Sequence, residues 1–193
     1  MKDYSLHPWT SRPLEAPNFP LAEKPFLWTI KDGVTSCGGG NRTACHTWNT
    51  TTGSLTPVTG LPRSFPRGFH VDLGDGRQWI GGGRGDSGES ILKHLLRTEA
   101  GGVEYLYPDL PAPMVDVCAA RLSETEAVLT GGLLGRKATN KTFVYDFVRR
   151  SWTEGPEMSK SRFRHGCASM ADSDGGFKVV LGNGKYRETG TGS

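Results

Sequence analysis

A short apolar run set against glycine recurs four times: "TSCGGG" at 35–40, "QWIGGG" at 78–83, "AVLTGG" at 127–132 and "VVLGNG" at 179–184. Within these runs Gly38, Gly81, Gly131 and Gly182 are separated by 43, 50 and 51 residues. Self-similarity at a period of roughly 40 to 50 residues marks a repeat architecture, whose units bury their apolar faces only by stacking on neighbours. That constraint narrows the fold more than any composition does.

Each period has an inner order. Ahead of the glycine site, a proline-bearing connection leads into a first short run, "FLWTI" at 26–30, "FHVDL" at 69–73, "VDVCAA" at 115–120 or "HGCASM" at 165–170. After the glycines come "ACHTW" at 44–48, "ILKHLL" at 91–96 and "TFVYDF" at 142–147. A turn then leads to "SLTPV", "VEYLYP" or "SWTEGP", starting at Ser54, Val103 and Ser151; "PWTSRP" at 8–13 is a similar element. Runs of four to six residues, rich in β-branched and aromatic types and bounded by Gly, Pro, Asn and Asp, read as strands. Four strands per period is the count of a propeller blade. The 27 glycines, 12 prolines and 35% hydrophobic content suit a turn-rich all-β chain.

The stretch from Thr130 to Met170 resembles a kelch repeat. Its parts fall in kelch order: Gly131 and Gly132, the "VYD" of Val144 to Asp146, Trp152 seven residues after Tyr145, then "PEM" and "RFRHG". The repeat from Gly38 is similar, with Trp48 at the tyrosine place and Leu55 at the tryptophan place; the repeat from Gly81 departs further, with Tyr105 at the tryptophan place. The resemblance implies kelch-type β-propeller blades, four-stranded antiparallel sheets arranged radially, across nearly the whole chain. Glycine after the second strand then lets backbones approach where a Cβ would clash. Trp48, Tyr145 and Trp152 are expected in the core between blades.

The expected blades span 25–58, 68–110 and 114–156, with partial elements at 8–13 and 165–182, in a single domain over 1–193. That is about three and a half blades, fewer than closed kelch propellers usually carry. Two arrangements fit: an incomplete propeller whose open edges invite association, or a four-bladed ring closed by the element at 8–13.

Four cysteines divide into two pairs by position. Cys37 ends a second strand and Cys45 begins a third, so they oppose one another across a hairpin, within disulfide reach. Cys118 and Cys167 share one phase of successive repeats, and a packing role predicts them buried and free. Asn41, Asn49 and Asn140 each open an N-x-Thr glycosylation acceptor in a turn or at a loop edge. With the Cys37–Cys45 pair these point to a secreted or extracellular setting. Against it, the first residues carry no apolar leader run, which would suit a cytoplasmic chain.

The formal net charge is only +3 and the arginines are scattered along the chain, so no nucleic-acid footprint is expected. Apolar runs of a few residues are far short of the ~20 needed for a membrane span. No Ser-His-acid set, zinc spacing or phosphate loop is present, so no catalytic site, cofactor or metal is expected. Arg67-x-x-His70 and Arg162-x-x-His165 look like one pair repeated at one blade phase, each arginine reaching a carbonyl or acid of the next blade. The "RGD" of Arg84 to Asp86 is expected on a flexible, exposed hairpin loop, as an ordinary polar turn. Kelch propellers usually serve as protein-interaction platforms, and the resemblance implies a binding module contacting partners through inter-blade connections. Arg63, Arg67, Lys160, Arg162 and Arg164 lie on these connections and suit an acidic protein partner. The alternative is a relative of the copper-dependent galactose oxidases, which also contain kelch-type blades and need a Cys–Tyr cross-link among His and Tyr ligands.

Overall fold

A computed structural model describes residues 25–39, 42–85, 87–172 and 177–185. The element expected at 8–13, together with Asn41 and Asp86, lies outside the described residues. Among the described residues there is no helix, and the chain folds into antiparallel sheets.

Three of these sheets have four strands taken in sequence order. The first contains β1 (Phe26–Ile30), β2 (Gly33–Cys37), β3 (Cys45–Asn49) and β4 (Leu55–Val58). The second contains β5 (Phe69–Asp72), β6 (Gln78–Gly81), β7 (His94–Arg97) and β8 (Val103–Tyr105). A small sheet, not expected from the sequence, then joins β9 (Met114–Val115) to a hairpin of β12 (Leu133–Leu134) and β13 (Lys137–Ala138). The third four-stranded sheet is β10 (Cys118–Arg121), β11 (Glu126–Thr130), β14 (Thr142–Asp146) and β15 (Ser151–Glu154). Two strands follow, β16 (Cys167–Ala171) and β17 (Phe177–Leu181).

The sheets stack face against face. Trp79 and Ile80 are adjacent in β6, so their side chains leave on opposite faces, yet both are 0% exposed. Trp79 joins Phe69, Val71 and Leu96 in a core shared with Leu129, Phe143 and Tyr145 of the third sheet. Ile80 and Leu95 pack the other way, against Trp28, Cys37 and Cys45 of the first sheet. The second sheet is therefore covered on both faces, which explains why β6 and β7 are buried along their whole length. Arg97 is also buried there: its guanidinium lies 5.3 Å over the Trp28 ring and Nη2 donates to Thr59 O at 2.9 Å.

Tyr145 and Trp152 pair across β14 and β15 with rings 4.8 Å apart. They hold the segment after β8, as Tyr145 Oη donates to Tyr107 O at 2.8 Å and Trp152 Nε1 to Pro108 O at 3.3 Å. These two aromatics lie between sheets. Trp48, on β3 of the first sheet, is only half-buried.

The glycine phase needs one correction. The left-handed pairs are Gly38–Gly39, Gly82–Gly83 and Gly131–Gly132, so Gly82 rather than Gly81 is the counterpart of Gly38 and Gly131. Gly81 is an ordinary last residue of β6, opposite Phe69, as Cys37 is opposite Phe26. Gly83 N donates to Met114 O at 3.1 Å and Gly132 N to Arg162 O at 2.8 Å. Each bond reaches the connection that enters the next sheet. A Cβ on Gly83 would stand 2.2 Å from Pro66 O, and one on Gly132 would stand 2.9 Å from Val115 O.

Cys37 and Cys45 are partners in the β2–β3 register and form a disulfide. The expectation of free, buried Cys118 and Cys167 is overturned: both are half-buried and they are bonded to each other, with Cα atoms 5.9 Å apart. Their shared phase is the reason. β10 and β16 are the first strands of successive sheets and lie side by side, so equal positions on them face one another.

In the chain-entropy description, cross-link stabilisation grows with loop length. The Cys118–Cys167 bond spans 49 residues and the Cys37–Cys45 bond spans 8. The Cys118→Ser/Cys167→Ser variant should lose about 4 kcal/mol, and Cys37→Ser/Cys45→Ser about 2 to 3 kcal/mol. Urea-unfolding midpoints of the two double variants against the parent test this order.

Candidate functional site

Connections that enter the first strands of successive sheets meet at one end of the structure. Arg67, Asp116 and Arg164 sit two or three residues before β5, β10 and β16. All three have left-handed backbones, with φ of 59°, 54° and 53°. Non-glycine residues in this region cost of order 1 kcal/mol or more each, so the surroundings must hold them there. A backbone ladder does so: Arg164 N donates to Asp116 O and Asp116 N to Arg67 O, each at 3.0 Å.

The side chains repeat the ladder in charge. Arg67 Nε donates to Asp116 Oδ1 at 3.0 Å, Arg67 Nη2 also binds Asp116 Oδ2, and Arg164 Nε donates to Asp116 Oδ2 at 2.9 Å. One nearly buried carboxylate thus bridges two arginines from the connections on either side. Burial alone would raise the Asp116 pKa, but the hydrogen bonds and charges of Arg67 and Arg164 outweigh it and hold the carboxyl below its usual value. Phe26, Phe65 and Val117 complete the walls of a cavity of about 280 Å³ beside this cluster.

The other residues expected on this end are spread around it. Arg63 Nη2 is 4.0 Å from Glu89 Oε1. Arg162 Nη1 donates to Gly182 O at 3.3 Å, and Lys160 is exposed on the connection after β15. The apparent repeat of Arg67-x-x-His70 in Arg162-x-x-His165 is a false phase. Phe69 and Cys167 are the matching strand starts, so Arg164, not Arg162, is the counterpart of Arg67. Asp116 escaped the sequence reading because its type differs from the arginines at the matching positions. Counting back from each strand start would have found all three.

Two acceptor asparagines are described. Asn49 Oδ1 accepts from Thr51 N and Thr52 N, both at 2.9 Å, closing a turn. Asn140 Nδ2 donates to Glu157 Oε2 at 2.9 Å and Met158 O at 3.3 Å, so a glycan there would displace one of these bonds. Arg84 of the "RGD" stretch is half-buried, pairs in a bridge with Ser90 and donates its N–H to Pro66 O at 2.8 Å. The expected flexible, exposed presentation does not hold for this arginine.

His70, His94 and His165 are held by structural contacts. Trp79 Nε1 donates to His94 Nδ1 at 3.0 Å, which leaves the proton on Nε2 to donate to Pro108 O at 2.8 Å. Protonating Nδ1 would set two donors against each other. Burial pushes the pKa of His94 below the usual value, as it does for His70 beside Gln78 and for His165 beside Thr130. Among the described residues, no cluster of three or more His, Cys, Asp or Glu could hold a metal ion.

A histidine with a lowered folded pKa binds its proton more readily when unfolded, so its stabilising effect is present above the usual value near 6.5 and lost as pH falls below it. Each such group contributes a slope of at most about 1.4 kcal/mol per pH unit. Unfolding free energy should therefore fall between pH 7 and pH 5, and more gently in His94→Leu than in the parent. Asp116 acts lower: its lowered pKa means stability is lost as pH falls through and below the usual carboxylate value of 3.8. Asp116→Ala should cost about 2 to 3 kcal/mol by leaving two guanidiniums without their shared acceptor; denaturant titration at pH 7 measures it.

No protein-family model matches this chain, and no curated protein matches it.

Proposed function

We propose that the chain is a run of kelch-type propeller blades that acts as a non-catalytic protein-interaction module, binding its partner through the connections at the Asp116 end. The observation that carries this reading is the Arg67–Asp116–Arg164 ladder. It fixes connections from three successive sheets as one surface while leaving their outer residues to vary. Radial blades are supported by the repeated strand order, by first strands β5, β10 and β16 lying in sequence beside one another, and by glycine pairs at one place in each four-stranded sheet.

Arg63, Arg67, Lys160, Arg162 and Arg164 on these connections suit an acidic partner, with Arg67 and Arg164 also bonded to Asp116. Two disulfides and the acceptor asparagines support a secreted setting. The copper-oxidase alternative needs a thiol for its Cys–Tyr cross-link, and Cys118 and Cys167, the two cysteines considered for it, are bonded to each other.

Photo-crosslinking side chains placed at Pro62, Pro111 and Lys160 should capture a partner, whereas the same group at Lys31, Glu124 and Arg149, on the turns at the other ends of the strands, should not. Capture from both ends alike would remove the proposed surface. Copper bound near one equivalent in the purified protein would favour the oxidase instead.

A further inference from the structure

The end of the structure that carries the Asp116 ladder has a strongly basic sector. It is formed by three connections: 131–141 between β11 and β14, 155–166 between β15 and β16, and 182–185 after β17. Backbone hydrogen bonds lace them into one surface. Met158 N donates to Asn140 O at 2.8 Å and Arg162 N to Thr139 O at 3.1 Å, while Phe163 and Lys185 exchange two bonds at 3.2 and 3.0 Å.

Arg136, Lys137, Lys160, Arg164 and Lys185 are exposed on this surface, with half-buried Arg162 among them. The hairpin of β12 and β13 carries Arg136 and Lys137 outward, its tip turned by Gly135 at φ 63°. Opposing charge comes from Asp116, which pairs with Arg164, and from two glutamates. Glu157 is the sole acid within the three connections and, with Glu154 of β15, is occupied by Lys141 at 4.0 and 3.3 Å. The turns at the opposite strand ends carry both signs instead, with Lys31, Asp32, Asp75, Arg77, Glu99, Glu124, Arg149 and Arg150.

We propose that this sector binds a sulfated polysaccharide. Protein interfaces are anchored by aromatic and aliphatic hot spots, and none of the large exposed apolar side chains belongs to these connections. Single-stranded nucleic acid binding needs stacking platforms, and the aromatic within the three connections, Phe163, is half-buried. What remains is broad, hydrophilic and multiply cationic, the chemistry that meets an extended chain of sulfates through charge and counterion release. All four cysteines are in disulfides, which fits the oxidising surroundings where such glycans occur. The proposal stands independently of the partner protein, although the two share the 155–166 connection.

The test is calorimetric titration of the full chain with a heparin decasaccharide in 0.15 M and 0.5 M NaCl. Binding should be measurable at the lower salt and fall by at least about tenfold at the higher. The variant Arg136→Glu/Lys137→Glu/Lys160→Glu should bind at least about tenfold more weakly, with a thermal melt like the parent's. Lys31→Glu/Arg149→Glu, which changes fewer charges at the opposite end, should bind within about twofold of the parent. No binding at 0.15 M NaCl would overturn the proposal. So would equal affinity for polyglutamate or a 20-base-pair DNA duplex, which would show charge attraction without glycan preference. Equal weakening by the opposite-end variant would overturn the assignment to this sector.

Discussion

The second glycine of two of the three pairs donates its N–H to a carbonyl in the connection that enters the next sheet, and much of the architecture follows from that contact. Gly83 reaches Met114 and Gly132 reaches Arg162. Both bonds need backbones close enough to exclude a Cβ, and both glycines have positive φ. The contact repeats because the problem repeats. A four-stranded sheet of short strands cannot bury two faces alone, so it must be docked onto neighbours at a fixed spacing. Once that is done, Trp79 and Ile80 can be buried on opposite sides of one strand.

Docking of this kind also decides where charge collects. In an antiparallel sheet taken in strand order, the connection after the second strand and the connection after the fourth leave at the same end. Arg136, Lys137, Lys160, Arg164 and Lys185, dispersed in the sequence, are thereby gathered, while the turns at the other end carry both signs. The mild net charge hides this cluster. Asp116 is the counterweight at the centre of the basic end, and without it Arg67 and Arg164 would face each other across adjoining connections.

The all-β class, the short strands and the facing of Cys37 and Cys45 were legible because each depends on local pattern: β-branched and aromatic runs, turn residues and hairpin register. Two causes account for the differences: equal phase means adjacency between stacked sheets, and insertions shift the phase itself. Cys118 and Cys167 stand at one phase, and stacking makes such positions neighbours; they bond instead of packing as separate thiols. Gly81 was taken for the phased glycine because three glycines run together there, and only the backbone dihedrals separate Gly82 and Gly83 from it. Arg162 was matched to Arg67 through the following histidine, although an extra residue before β16 shifts the true counterpart to Arg164.

The last two described strands are docked by other means. β16 and β17 are held by the Cys118–Cys167 bond and by Ser169 Oγ donating to Arg121 O, both reaching β10. Val128 and Val144 line an apolar cavity of about 360 Å³ shared with Val179 and Leu181. In the second sheet the equivalent space is filled by Tyr145 and Trp152, whose rings close on Trp79 and whose polar atoms clasp Tyr107 and Pro108. Nothing comparable reaches across from β16 and β17 among the described residues. The covalent link there does what aromatic packing does one sheet earlier: it fixes the distance between sheets where apolar contact alone is too thin to set it.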